Sequence, residues 1–213
     1  ARTLRPLTAG ARVRTLAAGE RLWHAGDPGE HVGVIDRGAV TIASPRPSGR
    51  LAVLGVFGPD DCIGLPAILA RTAYPAEAAA LVAGTRVLCL VAAALHHAMA
   101  SHPACAERVH AALHEHTSAL RAKIEVLSAG TAAARLAAFL LYLADRFGAP
   151  RADGAVEVPL AVPRVKLADI IAARPETVIR TLGAWRRARL VWTTDDGFVI
   201  GARETLATLA ERG

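Results

Sequence analysis

Apolar positions between Arg14 and about Leu90 come in short runs, at residues 32–35, 40–42, 51–57 and 87–91, cut by glycine and proline. Turn signals stand between them at Ala18-Gly19, residues 26–29, Arg37-Gly38, residues 45–49, residues 58–61 and Gly84. Short strands at this even spacing predict a β-sandwich or barrel, and a jelly roll fits. Near Ala92 the pattern changes to glycine-free stretches of helix formers, with Pro103 where a first helical turn tolerates it. From there to Ser128, Ala106, His110, Leu113, Thr117, Leu120, Ile124 and Leu127 recur in alternating steps of four and three. That spacing is the seam of a coiled coil. The chain could bury the stripe against its own sheet, but Glu107, Arg108, Glu115, Arg121, Lys123 and Glu125 surround it, which favours the same helix of a second copy. Leu113, Thr117, Leu120, Ile124 and Leu127 are the expected dimer contacts.

Gly130 ends this pattern, and Thr131 can cap a following helix whose apolar face includes Leu136, Phe139, Leu140 and Leu143. A polar loop at residues 148–154 leads to a short strand at 156–158, then to two short helices over 164–172 and 175–187. A terminal hairpin pairs residues 191–193 with 198–200 across Asp195-Asp196-Gly197. Helix, strand, helix, turn, helix and two-stranded wing is the order of a winged helix-turn-helix. The fold class is therefore α+β in three parts: a β jelly roll over residues 1–103, a dimerisation helix and hinge over 104–130, and a winged helix-turn-helix over 131–213.

A chain of 213 residues, 53% apolar, can bury real cores, which excludes general disorder. No apolar run reaches the roughly 18 residues of a membrane span, and no basic-then-apolar leader opens the chain, so a cytoplasmic protein without membrane contact is expected. Cys62, Cys89 and Cys105 are too scattered for a disulfide framework and form no CxxC, which leaves reduced thiols. The net charge of +6 favours a polyanionic partner, and its placement is informative. Residues 163–190 carry seven basic side chains (Arg164, Lys166, Arg174, Arg180, Arg186, Arg187, Arg189) against Asp169 and Glu176, a net of +5.

In the second short helix Pro175 suits the first turn, and Glu176, Thr177 and Arg180 project from the N-terminal half. Glu176 and Arg180, four apart, share a face. On an isolated helix they would form only a solvated pair. A helix entering the major groove presents such residues to base edges, where arginine takes guanine O6 and N7 in a fork and a carboxylate accepts from cytosine N4. Ala168, Ile170, Ile171, Ala172, Val178 and Leu182 supply the small and aliphatic packing of two helices in a helix-turn-helix. Arg164 and Lys166, at the start of the first helix, are expected near phosphate.

The stretch from Lys166 to Arg180, with Glu176-Thr177-x-x-Arg180 in its second helix, resembles the helix-turn-helix of the CRP/FNR family of bacterial transcription regulators. Upstream, Gly19-Glu20-x-Leu22, Gly26-Asp27, Gly38-x-Val40-x-Ile42 and Gly58-x-Asp60-x-x-Ile63-Gly64 are similar to that family's cyclic-nucleotide-binding-like jelly roll. The resemblance implies a homodimer on double-stranded DNA with a two-fold-related site, a small-molecule effector, and RNA polymerase as a further candidate partner. It also implies base contacts for Glu176 and Arg180 and a backbone contact for Arg164. Arg174 and Pro175 depart from the serine and arginine frequent in the family, which points to a different base preference. Pro175-Glu176-Thr177 and residues 124–128 resemble the DNR/NnrR branch of nitric-oxide-responsive regulators. The segment ahead of Val13 is short by comparison with such relatives.

The sensory half departs from a cyclic-nucleotide receptor. Such a receptor cradles phosphate with an arginine followed by a small hydroxyl residue, and holds ribose with a glutamate after the Ile-Gly turn. Here the glutamate slot is Leu65 or Pro66, and the arginine slot falls near Glu77, followed by Ala78 and Ala79. A carboxylate facing a phosphate is repulsive, so cyclic AMP is not the expected effector. Arg71 and Arg86 are the nearby substitutes. Three scattered cysteines fall short of the four thiolates of an iron–sulfur cluster. Haem stays open because His96, His97, His102, His110, His114 and His116 crowd one region, and His110 and His114, one helical turn apart, are the candidate ligands of a haem-based nitric oxide or redox sensor. The alternative of another class is a metal-dependent enzyme built on those histidines. Against it, the chain holds no HExxH, no Gly-rich phosphate loop and no Gly-x-Ser-x-Gly.

Overall fold

A computed structural model describes residues 10–46 and 51–211. The turn expected at residues 45–49 lies largely outside them, as does the stretch ahead of Gly10. The chain divides into two compact units between Leu120 and Arg121.

The N-terminal unit is built on β1 (Arg12–Leu16), β2 (Arg21–Trp23), β3 (His31–Arg37), β4 (Val40–Pro45), β5 (Leu51–Phe57), β6 (Cys62–Ile63), β7 (Glu77–Ala80) and β8 (Thr85–Val91). Two antiparallel four-stranded sheets result, in the orders β1-β8-β3-β6 and β2-β7-β4-β5. Strands adjacent in sequence therefore often lie in different sheets. Their inward side chains, among them Leu16, Val32, Ile35, Val40, Phe57 and Ile63, make one core. Gly38 turns the chain from β3 into β4 at φ 81°, and a Cβ there would lie 2.5 Å from the Thr85 hydroxyl, so glycine is required. The jelly-roll arrangement read from the turn spacing is what forms. The short strands β1, β2, β6 and β7 lack the apolar runs that mark the others, and α1 (Leu65–Ala70) occupies a stretch with no predicted element.

Two helices close the unit, α2 (Ala92–Ser101) and α3 (Pro103–Ser128). The residues of α3 turned toward its own chain are Cys105, Val109 and Ala119, all buried, with Ala112 and His116 half-buried between them. This is a second heptad stripe, one residue out of phase with the seam read from the sequence. The predicted seam is open in part: His110 and Thr117 are exposed and Ile124 and Leu127 are 64% and 41% exposed, while Leu113 and Leu120 are half-buried and Leu113 packs against the core.

The C-terminal unit contains α4 (Ala132–Phe147), β9 (Ala149–Pro150), β10 (Val156–Val158), α5 (Arg164–Ile170), α6 (Pro175–Arg187), β11 (Val191–Thr193), β12 (Phe198–Ile200) and α7 (Arg203–Glu211). Thr131 caps α4 by accepting from the Ala134 amide at 3.1 Å, and Leu136, Phe139, Leu140 and Leu143 are buried. The sheet order is β11-β12-β10-β9, and Gly197 closes the wing hairpin, its carbonyl accepting from the Thr194 amide at 2.9 Å. Strand β9 falls within the loop expected at residues 148–154, and α7 was not predicted. No helix among the described residues is long and apolar enough to cross a membrane.

Candidate nucleic-acid interface

Helix α5 stops two residues earlier than its pattern predicts, because Ala172 adopts a left-handed backbone at φ 51°. The Ala173 amide then bonds to the Ala168 carbonyl at 2.9 Å, and the chain turns into α6. Arg174 is the extended N-cap residue of α6, and Pro175 fills the first turn, where its missing N–H leaves nothing unmade. Glu176 in the first turn and Arg186 and Arg187 in the last complement the helix macrodipole. The face formed by Val178, Leu182 and Trp185 is buried in the unit. Glu176, Ile179 and Arg180 are exposed on the other side, as is Arg174, while Thr177 and Lys166 are half-buried. The arrangement offers one acceptor and one forked donor on one surface.

Arg164 has contacts within its own chain. Its guanidinium lies 5.5 Å from the Phe198 ring centroid and donates to the Thr193 hydroxyl at 2.6 Å, so the side chain braces α5 against the wing. Lys123, which the sequence pattern places among solvated seam charges, is half-buried, and its ammonium donates to the Ile170 carbonyl at the end of α5. Burial, followed by the positive charge of Arg135, pulls its pKa down to about 8. The sequence signal was available: Lys123 sits seven residues after His116, on the inward stripe.

In the β-roll, of the two residues in the expected glutamate slot, Leu65 is fully buried and Pro66 is exposed. Glu77 is buried and accepts from Arg21 Nε at 3.2 Å, a partner absent from the sequence-level account. Arg86 pairs with Asp36 at 3.1 Å, and Arg71 terminates α1, exposed. His110 and His114 are both exposed, and the Thr117 hydroxyl donates to the His114 carbonyl at 2.7 Å. His116 instead stacks on Phe57 at 5.1 Å between ring centroids, with Nδ1 buried and without a hydrogen-bond partner. Burial lowers its pKa, against a smaller raising effect of Asp61. Among the described residues no three His, Cys, Asp or Glu side chains converge as a metal site. Cys62, Cys89 and Cys105 are free thiols, and burial, reinforced by Asp61, pushes Cys62 up to about 12.

A jelly roll, a long helix and a winged helix-turn-helix with a cationic outer face define a class of two-part DNA-binding regulators. Residues 13–102 match the cyclic nucleotide-binding domain model, and residues 134–209 match the Crp-like helix-turn-helix domain model. Over 195 residues the chain is 26% identical to the CRP-like cAMP-activated global transcriptional regulator of Mycobacterium tuberculosis, covering 90% of this chain and 85% of that protein. The global nitrogen regulator of Synechococcus elongatus is 24% identical over 184 residues, with coverage of 84% and 81%. Among solved structures, FixK2 of Bradyrhizobium japonicum superposes with a TM-score of 0.78 at 22% identity, over 93% of this chain and 96% of that one. A CRP-family regulator of Thermus thermophilus superposes with a TM-score of 0.75 at 26% identity and the same coverage. The chain belongs to the CRP/FNR family: it is a DNA-binding transcription regulator and not an enzyme.

Proposed function

We propose that this regulator acts as a homodimer joined along the exposed stripe of α3, with residues 1–103 sensing, 104–130 joining and 131–213 binding DNA. In each copy α6 enters a major groove, where Glu176 and Arg180 read base edges. Thr177, Arg174 and Lys166 lie against the flanking phosphates, and Arg164 holds the wing in register. The observation that carries this reading is the division of α6, with Val178, Leu182 and Trp185 packed inside while Glu176 and Arg180 project freely.

The effector we infer is a small molecule other than cyclic AMP. The expected glutamate slot holds Leu65 or Pro66, neither able to accept from a ribose, and the expected arginine slot falls near Glu77, a carboxylate already paired with Arg21. Haem ligation by His110 or His114 is not favoured, since both rings stand exposed on α3, unlike an enclosed axial site. The Pro175-Glu176-Thr177 match keeps the DNR/NnrR branch as a sequence lead for the kind of promoter addressed.

The test is selection from random duplexes followed by anisotropy titration on the enriched site and a scrambled one at fixed salt. Arg180→Ala is expected to reduce discrimination between the two by roughly 1–3 kcal/mol per half-site. Arg164→Ala is expected to weaken both alike. Equal losses on both duplexes for Arg180→Ala would remove base reading from α6.

A further inference from the structure

Among the described residues five large apolar side chains stand exposed: Val13, Ile124, Leu127, Val165 and Ile179. Ile124 and Leu127 belong to the proposed dimer seam, and Val165 and Ile179 lie on the two helices of the helix-turn-helix. Ile179 is 56% exposed, directly before Arg180 and three residues after Glu176, so it sits at the flank of that outer face, beside Glu176. A β-branched residue there lowers helix propensity and gains no burial within the chain. Any packing partner for it would come from outside the chain. The major-groove edge of a base pair carries hydrogen-bonding groups and one apolar group, the C5-methyl of thymine.

We infer that Ile179 is a specificity-determining residue that packs on a thymine methyl beside the base pairs read by Glu176 and Arg180. This rests on α6 entering the major groove, and it adds an apolar element to an otherwise polar readout. Its side chain is stiff at χ1, so it reaches the groove with little rotamer freedom left to lose.

The experiment replaces each thymine of the selected half-site by uracil, which removes the methyl and keeps every hydrogen-bonding group. Affinities of the full-length protein are read by anisotropy. At one position per half-site, uracil is expected to weaken wild-type binding roughly four-fold, the worth of one buried methyl. Ile179→Ala is expected to bind the thymine and uracil duplexes equally, Ile179→Val to keep most of the difference, and Arg180→Ala to keep it in full. An enriched site indifferent to uracil at every thymine, or an Ile179→Ala protein that still distinguishes the two, would overturn the role of Ile179 and leave base reading by Glu176 and Arg180 standing. Failure of any sequence to be enriched would overturn base reading by α6 altogether, and Ile179 with it.

Discussion

Ala172 holds the turn between α5 and α6 in a left-handed conformation that costs a residue with a Cβ roughly 1 kcal/mol, and its methyl is exposed. Nothing is lost in packing if that methyl is removed. Ala172→Gly is therefore expected to raise stability by about 1 kcal/mol, seen as a higher urea midpoint with an unchanged m-value. A lower midpoint would mean that the turn is not strained. His116 carries a prediction of the opposite character. Its pKa is lowered in the folded chain, so above the unfolded value of about 6.5 the ring is neutral in both states and the fold bears no proton-linked loss. As pH falls below the unfolded value the unfolded chain binds the proton first, so stability declines until the lowered folded value is reached and then levels off. His116→Phe, which keeps the stack on Phe57, is expected to abolish that part of the loss below pH 6.5 in denaturation series, and an unchanged acid limb would contradict it.

The long helix α3 is the element with most left to settle. It carries two heptad stripes, and its own chain covers the inward one and only part of the outward one, where Leu113 packs against the core. Ile124 and Leu127 on the outward stripe then need a partner to leave water. Replacing both with glutamate is expected to convert the proposed dimer to monomer in sedimentation at micromolar concentration, with helicity retained. A protein that sediments as a monomer before any substitution would rule out the seam. The outward stripe was legible because its leucines and isoleucine stand among charges. The inward stripe of Cys105, Val109, Ala112, His116 and Ala119 was not, since small and polar residues on it count as core only once a sheet packs over them. For the same reason α6 and both wing strands were legible to the residue: a first-turn proline, three-residue apolar runs and Asp-Asp-Gly are local signals. The early end of α5 was not, because alanine alone does not announce a left-handed turn.

For the whole molecule, the placement of charge and the filling of the β-roll divide labour between the units. Residues 163–190 hold +5 of the net +6, so the remainder is close to neutral. In the sensory unit Leu65, one of the two residues in the expected glutamate slot, is buried, and Glu77, near the expected arginine slot, is paired with Arg21 at 3.2 Å. Cyclic AMP at millimolar concentration is therefore expected to leave both the melting temperature and DNA affinity unchanged. A rise in melting temperature that saturates with the nucleotide would overturn this reading, since any ligand that prefers the folded state must stabilise it.

Local patterns in the chain determined the sequence of elements, the cationic helix-turn-helix and the exposed apolar residues of α3, because period, turn chemistry and charge act over a few residues. Pairings between distant residues were decided only on folding. Arg21 meets Glu77 across 56 positions, Lys123 meets the end of α5 across 47, and Arg164 meets the wing across 29. Each depends on which sheet or helix face lies opposite, and that is set by burial of the whole core, a sum no short window contains.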